Sequence, residues 1–76
     1  MTVRLDDVLL ALVERLDPDG WATASDVAAQ LGQSLAVTQT ELQLLEAEGL
    51  TEQDDLYVWT ITREGYERVH EVVEQS

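Results

Sequence analysis

Few side chains of this 76-residue chain are equipped for covalent or metal chemistry, and their spacing does not suit it. His70, the sole histidine, would need a positioned nucleophile to work as a base, and none is evident. It reads as a surface or half-buried structural residue, with a protonation switch as the alternative. Ser25 and Ser34 suit helix starts, and Ser76 is the last residue. The absence of cysteine removes disulfides, thiolate nucleophiles and thiolate metal sites. Asp17-Pro18-Asp19-Gly20 opens like a calcium loop, but Trp21 and Ala28 stand where that loop needs oxygen ligands. A turn explains it better, because Pro presets φ and Gly reaches positive φ. The pairs Asp6/Asp7 and Asp54/Asp55 are sequence neighbours that fit a helix start and a turn. There is no phosphate-cradling glycine loop and no zinc spacing of His and Glu. The chain is expected to be a binding module and not an enzyme, with no metal, no cofactor and no evident small-molecule site.

One domain is expected, near the lower size limit for a core without staples. Apolar residues are 45% of the chain, but there is no Phe, so Leu, Val and Ala must form the core with Trp21, Trp59, Tyr57 and Tyr66. The longest apolar run, Val8 to Val13, is far shorter than the ~20 residues of a membrane span. Charges at Asp6, Asp7 and Glu14 interrupt any signal-peptide reading. A soluble, cytoplasmic protein with no membrane partner is expected. Sixteen Asp and Glu face four Arg and no Lys, for a net charge of −12. Such a chain repels itself and repels DNA phosphate in ordinary salt. The acidic, lysine-free composition resembles proteins of salt-loving archaea, whose cytoplasm screens charge within ~3 Å or less. The alternative is an acidic protein of an ordinary organism, a DNA mimic or partner-binding module.

The elements that would position any binding residues are legible from periodicity and caps. Val3 to Leu16 reads as a helix with the stripe Leu5, Val8, Leu9, Leu12, Val13 and Leu16, a Thr2 cap and acids in its opening turns. Leu10 lies off the centre of that stripe. Trp21 and Ala22 suggest a very short strand. Thr23 caps a second helix, with Asp26 closing an acidic capping box and Val27, Ala28 and Leu31 on one face. Gly32 suits the left-handed end of that helix. Ser34 caps a third, where Leu35, Thr38, Leu42 and Leu45 share a side until Gly49 stops it. Leu50 to Gln53 and Leu56 to Ile61 read as strands around an Asp54-Asp55 tip, the second strand partly apolar on both faces. Thr62 caps a last helix whose stripe is Tyr66, Val69, Val72 and Val73.

Two short helices joined by a tight turn form a helix-turn-helix unit. The stretch TASDVAAQLGQSLAVTQTELQLLEAEGL, followed by TEQDD, LYVWTIT and REGYERVHEVVEQ, resembles winged helix-turn-helix domains over roughly residues 3 to 74. The resemblance implies an α+β fold in the order α-β-α-α-β-β-α with a small antiparallel sheet. Residues 1–76 would make a single domain, with the helix-turn-helix at 23–50, the wing at 50–61 and the C-terminal helix at 62–75.

The resemblance further implies a transcription regulator whose partner is double-stranded DNA. The helix from Leu35 to Glu48 would lie in the major groove, and Ser34, Ala36, Val37, Gln39, Thr40, Glu41 and Gln43 would face bases. Gln pairs bidentately with adenine, Ser and Thr bond several base edges, and Ala or Val meets a thymine methyl. The wing, with Gln53, Asp54 and Asp55, would touch phosphate. Tyr66, Val69, Val72 and Val73 are candidate homodimer interface residues, since many such regulators pair through terminal helices. The sequence departs from the family in having no base on the third helix and an acidic wing tip. The other reading is a winged-helix protein-interaction module, for which Val37 and Leu44, seven residues apart, would form an exposed apolar pair. A slight roll of the helix would instead bury Val37.

Overall fold

A computed structural model describes residues 4–75. The elements follow in the order α1 (Leu5–Arg15), β1 (Ala22–Thr23), α2 (Ala24–Leu31), α3 (Leu35–Ala47), β2 (Thr51–Gln53), β3 (Val58–Ile61) and α4 (Arg63–Gln75). This is an α+β arrangement of four helices and one three-stranded antiparallel sheet, compatible with a winged helix. In the sheet β3 is central, with β1 on one side and β2 on the other. The register pairs Ala22 with Trp59 and Thr51 with Ile61.

The core follows from the apolar spacing of α1. Val8, Leu9, Ala11 and Leu12 are buried and meet Ala22, Ala24, Val27, Leu42, Leu45, Trp59 and Ile61. Leu5, Val13, Leu16, Leu31, Leu50 and Val69 close its margins. Truncating a fully buried leucine such as Leu42 to Ala would cost about 2–5 kcal/mol. No helix among the described residues is long and apolar enough to cross a membrane.

Each helix of the central pair has local reasons to start and stop. Thr23 Oγ1 accepts the Asp26 N–H at 3.1 Å, and Ser34 Oγ accepts the Val37 N–H at 3.2 Å. The Asp26 carboxylate makes no return bond among the described residues, so only half of the expected capping box forms. At the end of α3, Gly49 takes φ of 79°, the Leu50 N–H donates to the Leu45 carbonyl at 3.0 Å, and the Gly49 N–H donates to Glu46 at 2.9 Å. Those bonds use carbonyls that the helix itself leaves unpaired.

Several expectations are corrected. The first helix runs from Leu5 to Arg15, not from Val3 to Leu16, because Arg4 and Leu16 are extended; Thr2 and Val3 lie outside the described residues. Trp21 is not in the strand: its N–H and carbonyl close the Asp17 turn instead. Leu35 does not join the buried stripe and is 44% exposed. It is the first residue of α3, and helical side chains lean toward the N-terminus, so Leu35 leans off the end. The second wing strand begins at Val58, not Leu56. Asp54 is the cause: its Oδ1 accepts the N–H groups of Leu56 and Val58 at 2.8 and 3.2 Å, drawing residues 54–57 into the tip.

Candidate nucleic-acid interface

Thr38, Leu42 and Leu45 anchor α3 in the core, and this sets which side of the helix faces outward. Thr38 is fully buried, yet its hydroxyl donates to the Ser34 carbonyl at 2.9 Å and accepts from Gln33 Nε2 at 3.0 Å. A buried hydroxyl satisfied in this way carries little desolvation penalty. At 3.6 residues per turn, Ala36 and Thr40 then lie opposite the core, Gln43 beside them, and Gln39 on the flank about 90° from it. All four are exposed. Val37 and Leu44 flank them along one edge, each about half exposed at 50% and 51%. The helix is not rolled to bury Val37.

The hydrogen-bonding capacity of this face is partly committed. The Ser34 hydroxyl accepts the capping bond and keeps its own proton to donate. The Thr40 hydroxyl donates to the Ala36 carbonyl at 3.1 Å and keeps lone pairs to accept. No bond within the chain occupies the Gln39 or Gln43 amide among the described residues. Glu41 differs, since it is half-buried and its carboxylate accepts from Gln33 Nε2. It belongs to the rim of the face.

The hairpin of β2 and β3 stands beside α3. Glu46, in the last turn of α3, accepts the Gln53 N–H at 3.3 Å, and Thr51 Oγ1 donates to the Leu42 carbonyl at 3.0 Å. Of the expected wing residues, Gln53 and Asp54 are half-buried in the hairpin frame and Asp55 is exposed. The outermost side chains are Leu56 and Tyr57, which the alternation of the sequence had assigned to a strand. Nothing in the residue types signals this, because apolar residues after a turn read as strand.

The basic residues lie elsewhere. Arg68 pairs with Asp6 through two 3.0 Å hydrogen bonds, which with the Asp6 charge raise its guanidinium above the ordinary value. Arg4 also approaches Asp6, at 3.9 Å, and Arg63 approaches Glu67, at 3.6 Å. Arg15, at the end of α1, makes no ion pair among the described residues. His70 is exposed and lies 3.0 Å from Glu74.

The terminal helices form a second uncovered region. Tyr66 and Val73 are 52% and 57% exposed, Val69 packs on the core margin, and Val72 is half-buried. Val72 and Val73 line a groove with Leu10 of α1.

No protein-family model and no curated protein matches the chain. Among solved structures it is similar to BpsR of Bordetella bronchiseptica, a structure that concerns how 6-hydroxynicotinic acid regulates the DNA binding of that protein. The TM-score is 0.76 and the identity 24%, over 97% of this chain and 58% of that one. The likeness is one of fold: nearly all of this chain shares the backbone arrangement of a DNA-binding protein, and it spans little more than half of that protein's chain.

Proposed function

We propose that this chain is a winged helix-turn-helix module that binds double-stranded DNA within a transcription regulator, and that it is adapted to high salt. The helix-turn-helix covers 23–50, the wing 50–61 and the C-terminal helix 62–75. The observation that carries the reading is the outward side of α3, where Ala36, Thr40 and Gln43 are exposed away from the core and Gln39 is exposed on its flank. That face has a methyl, a hydroxyl and two carboxamides, groups that distinguish base edges in a major groove. Ser34 at the helix start and Val37 at its edge complete the contact. The likeness in fold to BpsR, whose DNA binding is regulated, supports a DNA partner.

The charge distribution selects the conditions. Three of the four arginines are turned to carboxylates of the same chain, so little phosphate neutralisation is left. Phosphate contacts supply most non-specific affinity at low salt. At ~1 M salt the screening length is about 3 Å, which mutes the repulsion from the net charge of −12. Affinity then rests on base-edge hydrogen bonds and apolar contact. Pairing of two copies through Tyr66, Val69, Val72 and Val73 would present two α3 helices to one duplex.

The test is a titration of duplexes selected from a random-sequence pool at ~0.1 M and ~2 M potassium chloride. Binding that survives or strengthens at ~2 M is expected, and Gln39→Ala, Thr40→Ala and Gln43→Ala should each weaken it by about 1–3 kcal/mol. Absence of binding at both salts would overturn the proposal. The half-exposed pair Val37 and Leu44 favours a second reading, a protein-interaction module. That reading replaces the first if no duplex binds and Val37→Asp dissociates an assembly of the chain.

A further inference from the structure

Between the start of α1, the end of α3 and α4, the fold leaves a recess of about 430 Å³. The apolar part of its lining is Leu5, Leu45 and Leu50. Leu45 is fully buried, whereas Leu5 and Leu50 sit at the core margin and stay partly uncovered. The charged part is Arg4, Asp6, Glu48 and Arg68. Two of the four arginines therefore meet at one place, in a chain whose net charge is −12. They come from the two ends of the sequence and Glu48 from its middle, so no motif along the chain announces the recess.

The charged groups keep bonding capacity. Arg68 gives its Nε and Nη2 donors to Asp6. A guanidinium has five N–H donors in a fixed fork, so Nη1 remains, and Glu71 is 3.7 Å from it, outside hydrogen-bond distance. Arg4 comes no closer than 3.9 Å to Asp6. Glu48 is exposed, and no bond within the chain occupies its carboxylate among the described residues. The hydrogen bond and charge of Asp6 are the main reasons that the Arg68 guanidinium sits above its ordinary value, and the charges of Glu71 and Glu48 add to them. Glu48 also closes the C-terminal end of α3, where the helix dipole is negative and favours a cation.

We infer that the recess binds a free apolar α-amino acid of about the size of leucine. Its carboxylate meets Arg4 and the open donors of Arg68, its ammonium meets Glu48 at the end of α3, and its side chain lies on Leu5, Leu45 and Leu50. The balance of charge selects the class. A simple anion is repelled by Asp6 and Glu48, and a simple cation by Arg4 and Arg68. A zwitterion places each charge beside its opposite, in charge-assisted hydrogen bonds. The volume of about 430 Å³ lies toward the small end of ligand sites, which join an apolar lining to a few polar groups that fix orientation. The inference stands apart from the DNA-binding reading.

The test titrates L-leucine into the full chain at ~0.5 M potassium chloride, followed by calorimetry and by melting temperature. Saturable heat and a rise in melting temperature are expected, since a ligand that binds only the folded state stabilises it. Three analogues each lack one group: isocaproate the ammonium, isoamylamine the carboxylate and glycine the apolar side chain. Each should bind roughly tenfold more weakly or worse. Arg4→Gln should weaken leucine binding about tenfold without weakening isoamylamine, and Glu48→Gln should do the same without weakening isocaproate. Both side chains are exposed, so circular dichroism should match the parent. Arg63→Gln, outside the recess, should change nothing. Equal binding of leucine and isocaproate would overturn the zwitterion in favour of an anion site. Leucine binding untouched by both recess variants would place the ligand elsewhere and overturn the assignment. If neither leucine nor phenylalanine binds, the inference falls and the DNA-binding reading stands.

Discussion

Gly65→Ala should destabilise the domain, although the same change in most helices is favourable. Gly65 is the third residue of α4, and its N–H donates to the capping Thr62 hydroxyl at 3.0 Å. A Cβ built at this position would lie 2.5 Å from Ile61 Cγ1 and closer still to the Leu50 carbonyl oxygen. That oxygen cannot easily move, because it accepts the Thr62 N–H at 3.1 Å. Thr62 is itself fastened, its hydroxyl donating to the Gly49 carbonyl at 2.6 Å. An unobstructed Gly→Ala change inside a helix gains about 0.5–1 kcal/mol. Overpacking costs about 1–3 kcal/mol, and disturbing the Leu50–Thr62 hydrogen bond adds about 1 kcal/mol. The net expectation is a loss of roughly 1–3 kcal/mol. At about 4–8 °C per kcal/mol for a domain of this size, the melting temperature should fall by roughly 5–20 °C. Thermal unfolding by far-ultraviolet circular dichroism in ~2 M potassium chloride measures it, with Glu67→Ala on the same helix as an exposed control. A Gly65→Ala variant melting at or above the parent would refute the close approach of α4 to the end of α3.

Three further outcomes are expected. Melting temperature should climb steeply between ~0.05 M and ~2 M potassium chloride, because sixteen acids and four bases repel in the folded state until screened; a flat or falling curve removes the high-salt reading. Val37→Asp should leave circular dichroism and melting nearly unchanged, since Val37 is half exposed, and should abolish duplex binding by aiming a carboxylate at phosphate. A variant that unfolds would mean that Val37 is core after all. Arg68→Gln should lower the melting temperature at ~0.1 M salt and by less at ~2 M, since it removes the double hydrogen bond to Asp6. The raised guanidinium value means that this contribution is complete below the ordinary arginine value and lost only above the raised one. On the arginine's account, melts in mildly alkaline buffer should therefore match those at neutral pH.

Much of this protein was readable from local chemistry. Thr23 and Ser34 announce helix starts because a hydroxyl before an apolar-periodic run satisfies an orphan N–H. Gly32 and Gly49 announce ends because the left-handed closing position penalises a Cβ. The α1 stripe announces the core because 3.6-residue periodicity leaves one face apolar. Each of these signals acts within about one turn of chain, where the sequence by itself determines the outcome. What the structure alone decided depends on which side-chain bonds and packing contacts the folded chain makes. Periodicity already puts Thr38 on the core side of α3, but its complete burial, with the hydroxyl satisfied by Gln33 and Ser34, and the exposure of Val37 are set by packing. Leu35 is exposed because it opens α3 and its side chain leans off the helix end. Leu56 and Tyr57 leave the strand because the Asp54 carboxylate reaches past them to Val58. Gly65 is required for a reason invisible along the chain: packing brings the Leu50 carbonyl, fifteen residues earlier, against the start of α4.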